Sequence, residues 1–283
     1  MATQHLIVAL GDQHYRVERP WGDLPGGPAR VSDVTVDLDG RVHALLRSDP
    51  LVDGAVDAIV TLAADGTRLA SWGGDLIADA HMLATAPDGR LFIVDRDAHE
   101  IVICDAEGAR LGGLGTRHAP HQPFNHPTDV AVSADGEIYV CEGYAAGTVH
   151  RFAADGTRIG SWGRIGTGPG EFMNAHALWI QPDGRVVVAD RENDRLQVFS
   201  PDGDLLTIWT GFKQPLDIWG DAEGALYVTD LLPSLTKLAP DGTMIGRCRP
   251  VLNGAHGVWG APDGSLFLAE GNPSRLTRLT PLD

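Results

Sequence analysis

Residues 126–163 read HPTDVAVSADGEIYVCEGYAAGTVHRFAADGTRIGSWG, and this one stretch holds a whole structural unit. Two Asp-Gly turns, Asp135-Gly136 and Asp155-Gly156, separate runs rich in β-branched and aromatic residues. Such dipeptides close tight hairpins because Asp and Gly accept the positive φ that those turns require. With the run ahead of the first turn, the stretch reads as four short antiparallel strands.

Moving outward in both directions, the first turn and its following strand recur as LDGRVHALL (38–46), PDGRLFIVD (87–95), PDGRVVVAD (182–190), AEGALYVTD (222–230) and PDGSLFLAE (262–270). The marker glycines are Gly40, Gly89, Gly136, Gly184, Gly224 and Gly264, at intervals of 49, 47, 48, 40 and 40. A second turn of the same chemistry follows at Gly66, Gly108, Gly156, Gly203 and Gly242. A repeat of this length built of four strands is the signature of a propeller blade, whereas helical solenoids show a 3.6-residue apolar period that is lacking here. The sequence predicts an all-β chain, a six-bladed β-propeller forming a single domain over 1–283. The last unit ends without its outer strand, and residues 14–22, HYRVERPWG, supply one at the other end of the chain. Pairing the two would seal the ring and remove open sheet edges. Trp72, Trp162 and Trp209, each after a second turn, are assigned to packing between blades.

Composition agrees and excludes several functions. Glycine makes up 35 of 283 residues, as a turn-rich chain requires. With 22 basic against 38 acidic side chains the net charge is −16, which argues against nucleic acid as a partner. No apolar run approaches the ~18 residues of a membrane span. The start, MATQHLIVALGDQHY, has only a short apolar stretch from Leu6 to Leu10 with no basic region ahead of it, so no secretion signal is expected. Cys104, Cys141 and Cys248 are odd in number and show no CxxC spacing, which points away from disulfides and cysteine zinc sites. A cytoplasmic location is the expectation.

The residue eight positions before each marker glycine falls on the innermost strand. The series is Ser32, His81, Thr128, His176, Leu216, His256, with histidine on the second, fourth and sixth blades. Alternate blades of a sixfold ring are related by a third of a turn, so these imidazoles should converge on the axis. Three nitrogen ligands with a fourth position open are what a catalytic zinc takes; histidine also suits iron, copper, nickel or cobalt. One residue on, Asp33, Asp129 and Asp217 occupy the odd blades. They are expected to bond the backbone of neighbouring inner strands, with support of the histidines or a hard cation as the alternative. His118 and His121 in a Pro-rich connector, and His126, read as solvated.

Seven positions after each marker stand Arg47, Arg96, Gly143, Arg191, Leu231 and Gly271, with Tyr144 next to the third. Arginines there should face one mouth of the channel, either gripping a carboxylate or amide oxygen or pairing with acids such as Asp95 and Asp190. A tyrosine beside a cation is suited to accept a proton. The Gly-Pro-rich connectors 111–125 and 163–174 are candidates for the rim.

Through PTDVAV, GY and ADREN the chain, over about residues 30–280, resembles the NHL-repeat propellers and among them the peptidyl-α-hydroxyglycine α-amidating lyases. The resemblance implies a zinc site at His81, His176 and His256, an active-site tyrosine at Tyr144 and active-site arginines at Arg47 and Arg191. It implies cleavage of a carbinolamide to an amide and an aldehyde such as glyoxylate, on a small substrate carrying a carboxylate or amide. Where that family has a calcium-site aspartate this chain has Gly257, so calcium is not expected there unless Asp33, Asp129 or Asp217 substitutes; Ala145 and Val198 stand where its secreted members have cysteines. Two other readings are a different metal-assisted reaction (hydration, elimination or ring opening) at the same site, and a non-enzymatic protein-binding module.

Overall fold

The computed structural model describes residues 6–54 and 56–283; His5, read above as part of the chain's start, lies outside them. Six antiparallel sheets stand in a ring, each opening with an inner strand beside the axis. The inner strands are Arg30–Val36, Ala80–Thr85, Asp129–Val132, Ala175–Ile180, Pro215–Gly220 and Gly257–Gly260. Each is followed by its marker turn and a second strand that is buried almost throughout, such as Leu91–Asp95, Val186–Asp190 and Leu226–Asp230. Burial on both faces explains why these strands read as apolar runs while the outer strands alternate less cleanly. The outer strands, among them Arg68–Trp72 and Arg158–Trp162, are largely exposed.

The ring closes as expected. Strand Gln13–Trp21 pairs with Ser274–Leu282 in the sixth blade, with His14 opposite Leu282 and Val17 opposite Leu279. The short apolar stretch Leu6–Leu10 adds a fifth strand outside it, pairing Leu6 with Val17 and Leu10 with Gln13. Its apolar residues have a local structural reason, since Leu10 is buried against the fifth and sixth blades.

Tryptophans do join the blades. Trp72, Trp162 and Trp209 lie across Gly108, Gly203 and Gly242 of the following blade, leaving no room for a side chain at those turns. Leu114, Cys248 and Trp21 occupy the same pairing position in the remaining blades. Among the described residues the helical elements are one α-turn, Pro50–Asp53, and one 3₁₀ turn, Arg191–Asn193. Among the described residues no helix is long and apolar enough to cross a membrane. Residues 111–114 of the first expected connector belong to strand Arg110–Leu114, so that connector begins at Gly115. Both connectors are anchored by fully buried rings, Phe124 and Phe172.

Candidate metal centre and its rim

The three histidines converge. His81 and His176 are fully buried, His256 is half-buried, and the ring centroids lie 5.0–5.2 Å apart. One ligand atom from each comes within 4.8 Å of the others, and no other three His, Cys, Asp or Glu among the described residues do so. Bulges in the inner strands beside His81 and His176 turn these side chains onto the axis.

A single device orients all three rings. The Nδ1 of His81 bonds the carbonyl of Thr128 at 2.6 Å, that of His176 the carbonyl of Leu216 at 2.6 Å, and that of His256 the carbonyl of Ser32 at 2.9 Å. A carbonyl can only accept, so each Nδ1 carries the proton and each Nε2 presents a lone pair. Ser32 and Thr128 pass the contact on around the ring, donating their hydroxyls to the carbonyls of His81 and Ala175 in the next blade. Burial, followed by the neighbouring imidazole His256, holds His81 and His176 well below the ordinary histidine range, and burial brings His256 down to about 4. Neutral imidazoles with aimed lone pairs are competent ligands without losing a proton. The Nε2 of His176 is buried with no hydrogen-bond partner, an arrangement that costs about 1–3 kcal/mol unless something binds there. The donor set, its carbonyl support and this orphaned nitrogen all fit a divalent transition metal.

Tyr144 stands over the centre. Its hydroxyl lies 3.0 Å from the Nε2 of His81, and the residue is 41% exposed. Gly143 permits this placement, because a Cβ there would lie 2.0 Å from Asn174 Oδ1 and 2.5 Å from the Ala175 carbonyl. Arg96 and Arg191 lie against the tyrosine ring at 5.4 and 5.8 Å. Arg47 grips Asp79 with two bonds, Nε at 2.7 Å and Nη2 at 3.2 Å, and Arg96 takes the same carboxylate at 2.8 Å. Arg191 pairs with Glu192. The acids therefore differ from those expected: Asp95 holds Arg117 and Asp190 holds Arg195, leaving the rim arginines to Asp79, Asp97 and Glu192. The charges of Arg47 and Arg191 lower His256 further.

Asp33, Asp129 and Asp217 take the backbone role. Each Oδ1 accepts from the following amide, and each Oδ2 reaches across to the next blade, to the amides of Leu83, Leu178 and Val258 at 2.7–2.8 Å. Burial raises all three, Asp217 to about 7. A Cβ on Gly257 would lie 1.9 Å from Asp33 Oδ1, so the Asp33 carboxylate fills the space a side chain would need there.

Of the connector histidines, His126 packs edge-on against His99 at 4.5 Å and approaches Asp97 at 3.8 Å, while the amides of His118 and His121 bond the carbonyls of Ala98 and Phe124. None of them joins the central cluster. Asp79 was not singled out in the sequence, and Arg96 was seen only as one of a series. The available signal was the slot two residues before each channel histidine, where Asp79 stands.

The NHL repeat family model matches residues 124–152. The chain is 30% identical over 222 residues to the peptidylglycine alpha-amidating monooxygenase of Rattus norvegicus, covering 68% of this chain and 23% of that protein. It therefore spans about a quarter of the length of that relative. It is 24% identical to a probable peptidyl-alpha-hydroxyglycine alpha-amidating lyase of Caenorhabditis elegans, covering 88% of this chain and 82% of that one. Among solved structures, a streptogramin B lyase covers 97% of this chain and 100% of its own at a TM-score of 0.68 and 14% identity, a likeness of fold alone.

Proposed function

We propose that this NHL-repeat propeller, similar to the α-amidating lyases, is a metal-dependent lyase that splits the C–N bond of an α-hydroxy-amide. The observation that carries the reading is the axial set of three Nε2 lone pairs with the Tyr144 hydroxyl 3.0 Å from one of them. His81, His176 and His256 would hold the metal, zinc by preference, which when bound supplies Lewis acidity toward an oxygen of the substrate.

The chain's own residues account for the rest. In its phenolate form Tyr144 accepts the proton of the substrate hydroxyl and becomes the phenol; the O–H electron pair becomes the second bond of a carbonyl. The C–N bond breaks with its electrons on nitrogen, and Tyr144 returns the proton there, so the products are an amide and an aldehyde. Arg47 and Arg191 face the same mouth and suit a substrate carboxylate, with charge developing on oxygen answered by fixed donors. Asp79 keeps Arg47 and Arg96 in place before substrate arrives.

The test is metal content by mass spectrometry with aldehyde release from an N-acyl-α-hydroxyglycine. The wild type should carry about one transition metal per chain and release glyoxylate; His176→Ala should lose both. Tyr144→Phe should keep the metal and lower kcat by about 10²- to 10⁴-fold. Metal bound with no aldehyde released would direct the site to another reaction, and a chain that takes up no metal would overturn the reading.

A further inference from the structure

The opposite end of the channel is a funnel of about 1230 Å³. Five positions before the marker glycines stand Thr35, Ala84, Ala131, Trp179, Trp219 and Trp259; Thr35 is buried, while Ala84 and Ala131 line the funnel with small side chains and the other three blades line it with indoles. The tryptophans form one cluster centred on Trp179, which lies 6.3 Å from Trp219 and 5.6 Å from Trp259. Their seats are built by glycine: a Cβ on Gly220 would lie 2.3 Å from Trp179 Nε1, and one on Gly260 2.1 Å from the ring of Trp219. All three indoles line the cavity and are only partly buried.

The charge of this mouth is one-sided. Asp37, Asp135, Asp183, Asp221 and Glu223 line it, and no Lys, Arg or His does. Arg41 and His43 occupy Asp37, and Arg185 occupies Asp183. Among the described residues Asp135, Asp221 and Glu223 have no basic side chain within ion-pair distance. Between funnel and histidine centre lies the layer containing Asp33, Met82, Asp129, Ala177 and Asp217, all buried and none of them lining the funnel.

We propose that the funnel is a second binding site, for a small organic cation with an aromatic or alkyl body. Indole faces attract cations and shed water readily from apolar groups, and carboxylates at the lip favour the same ligand while repelling anions. The small-residue side leaves room for the body of the ligand opposite the indoles. A neutral apolar molecule would use the tryptophans and leave the acids idle, so the two features together select charge as well as shape.

Titration of the whole chain with benzyltrimethylammonium and with benzenesulfonate, followed by calorimetry and tryptophan fluorescence, tests the site. Saturable binding of the ammonium alone is expected, weakened about tenfold in Trp219→Leu and measurably in Glu223→Gln. His176→Ala should bind it as the wild type does. Glu223 is exposed at a turn, so its variant keeps the test decisive should Trp219→Leu fail to fold. Absence of saturation in the millimolar range, equal binding of the sulfonate, or dependence on His176 would each overturn the proposal.

Discussion

At the scale of single residues, the histidine centre was legible because the repeat gives every inner strand a common register, and one slot in that register alternates histidine with other residues. Tyr144 and the arginines fell out of a second slot. Asp79 did not, since its role depends on two guanidiniums that meet only in three dimensions. Replacing it tests that role: Asp79→Asn should raise KM about tenfold for a carboxylate-bearing substrate while kcat falls less, as expected when binding groups are loosened and the reacting groups are kept. An equal fall in kcat with KM unchanged would assign Asp79 to the chemical step. A second residue-scale prediction concerns Asp37 at the other mouth. Burial opposes its charge, but His43 and the amide and guanidinium of Arg41 outweigh burial and bring it down to about 2, below the usual 3.8. Because the folded value lies below the unfolded one, the stability this carboxylate contributes is full above about pH 4 and is lost as pH falls toward 2. Thermal unfolding of the wild type and Asp37→Asn should therefore differ most near neutrality and converge on acidification; a gap independent of pH would contradict the assignment.

At the scale of elements, the hairpin turns gave almost every strand boundary, since Asp-Gly and Glu-Gly state their geometry locally. What they could not reveal was the outermost strand Leu6–Leu10, whose partner is its neighbour across a turn at Gly11 and whose burial depends on the fifth blade. Nor could they show that the first connector starts four residues late, because Leu111 to Leu114 are mostly exposed and read as loop. The blade-joining tryptophans yield a paired prediction. Gly40 and Gly242 both adopt positive φ, at +80° and +88°, but only Gly242 faces a ring, Trp209, at 2.2 Å from a built Cβ. Gly40→Ala should cost about 1–2 kcal/mol, the backbone term alone. Gly242→Ala should cost about 1–3 kcal/mol more from overpacking between blades. Equal losses in urea unfolding would mean that the tryptophan yields without cost.

For the molecule as a whole, sixfold closure was readable from two ends that each lacked what the other had. Removing residues 1–11 should leave a folded ring, because the fourth strand of the sixth blade, Gln13–Trp21, remains. Removing residues 1–21 exposes the edge of Ser274–Leu282 and uncovers the buried Leu276 and Leu279. That variant should melt at lower temperature, lose two-state behaviour and associate in size-exclusion chromatography. A monomer melting like the wild type would show that the clasp is dispensable.

The bond from His256 to the Ser32 carbonyl crosses the seam between the sixth blade and the first, where the ring is clasped. Strand Gln13–Trp21 leaves the ribosome well before its partner, which is made as much as 269 positions later. Five blades can fold while the chain is still being synthesised, each from its own local hairpins, but the third imidazole has nothing to aim it until the seam is shut. Readiness of the centre is thus tied to the clock of synthesis: partial rings carry two oriented histidines at most, and the centre assembles in the step that closes the ring.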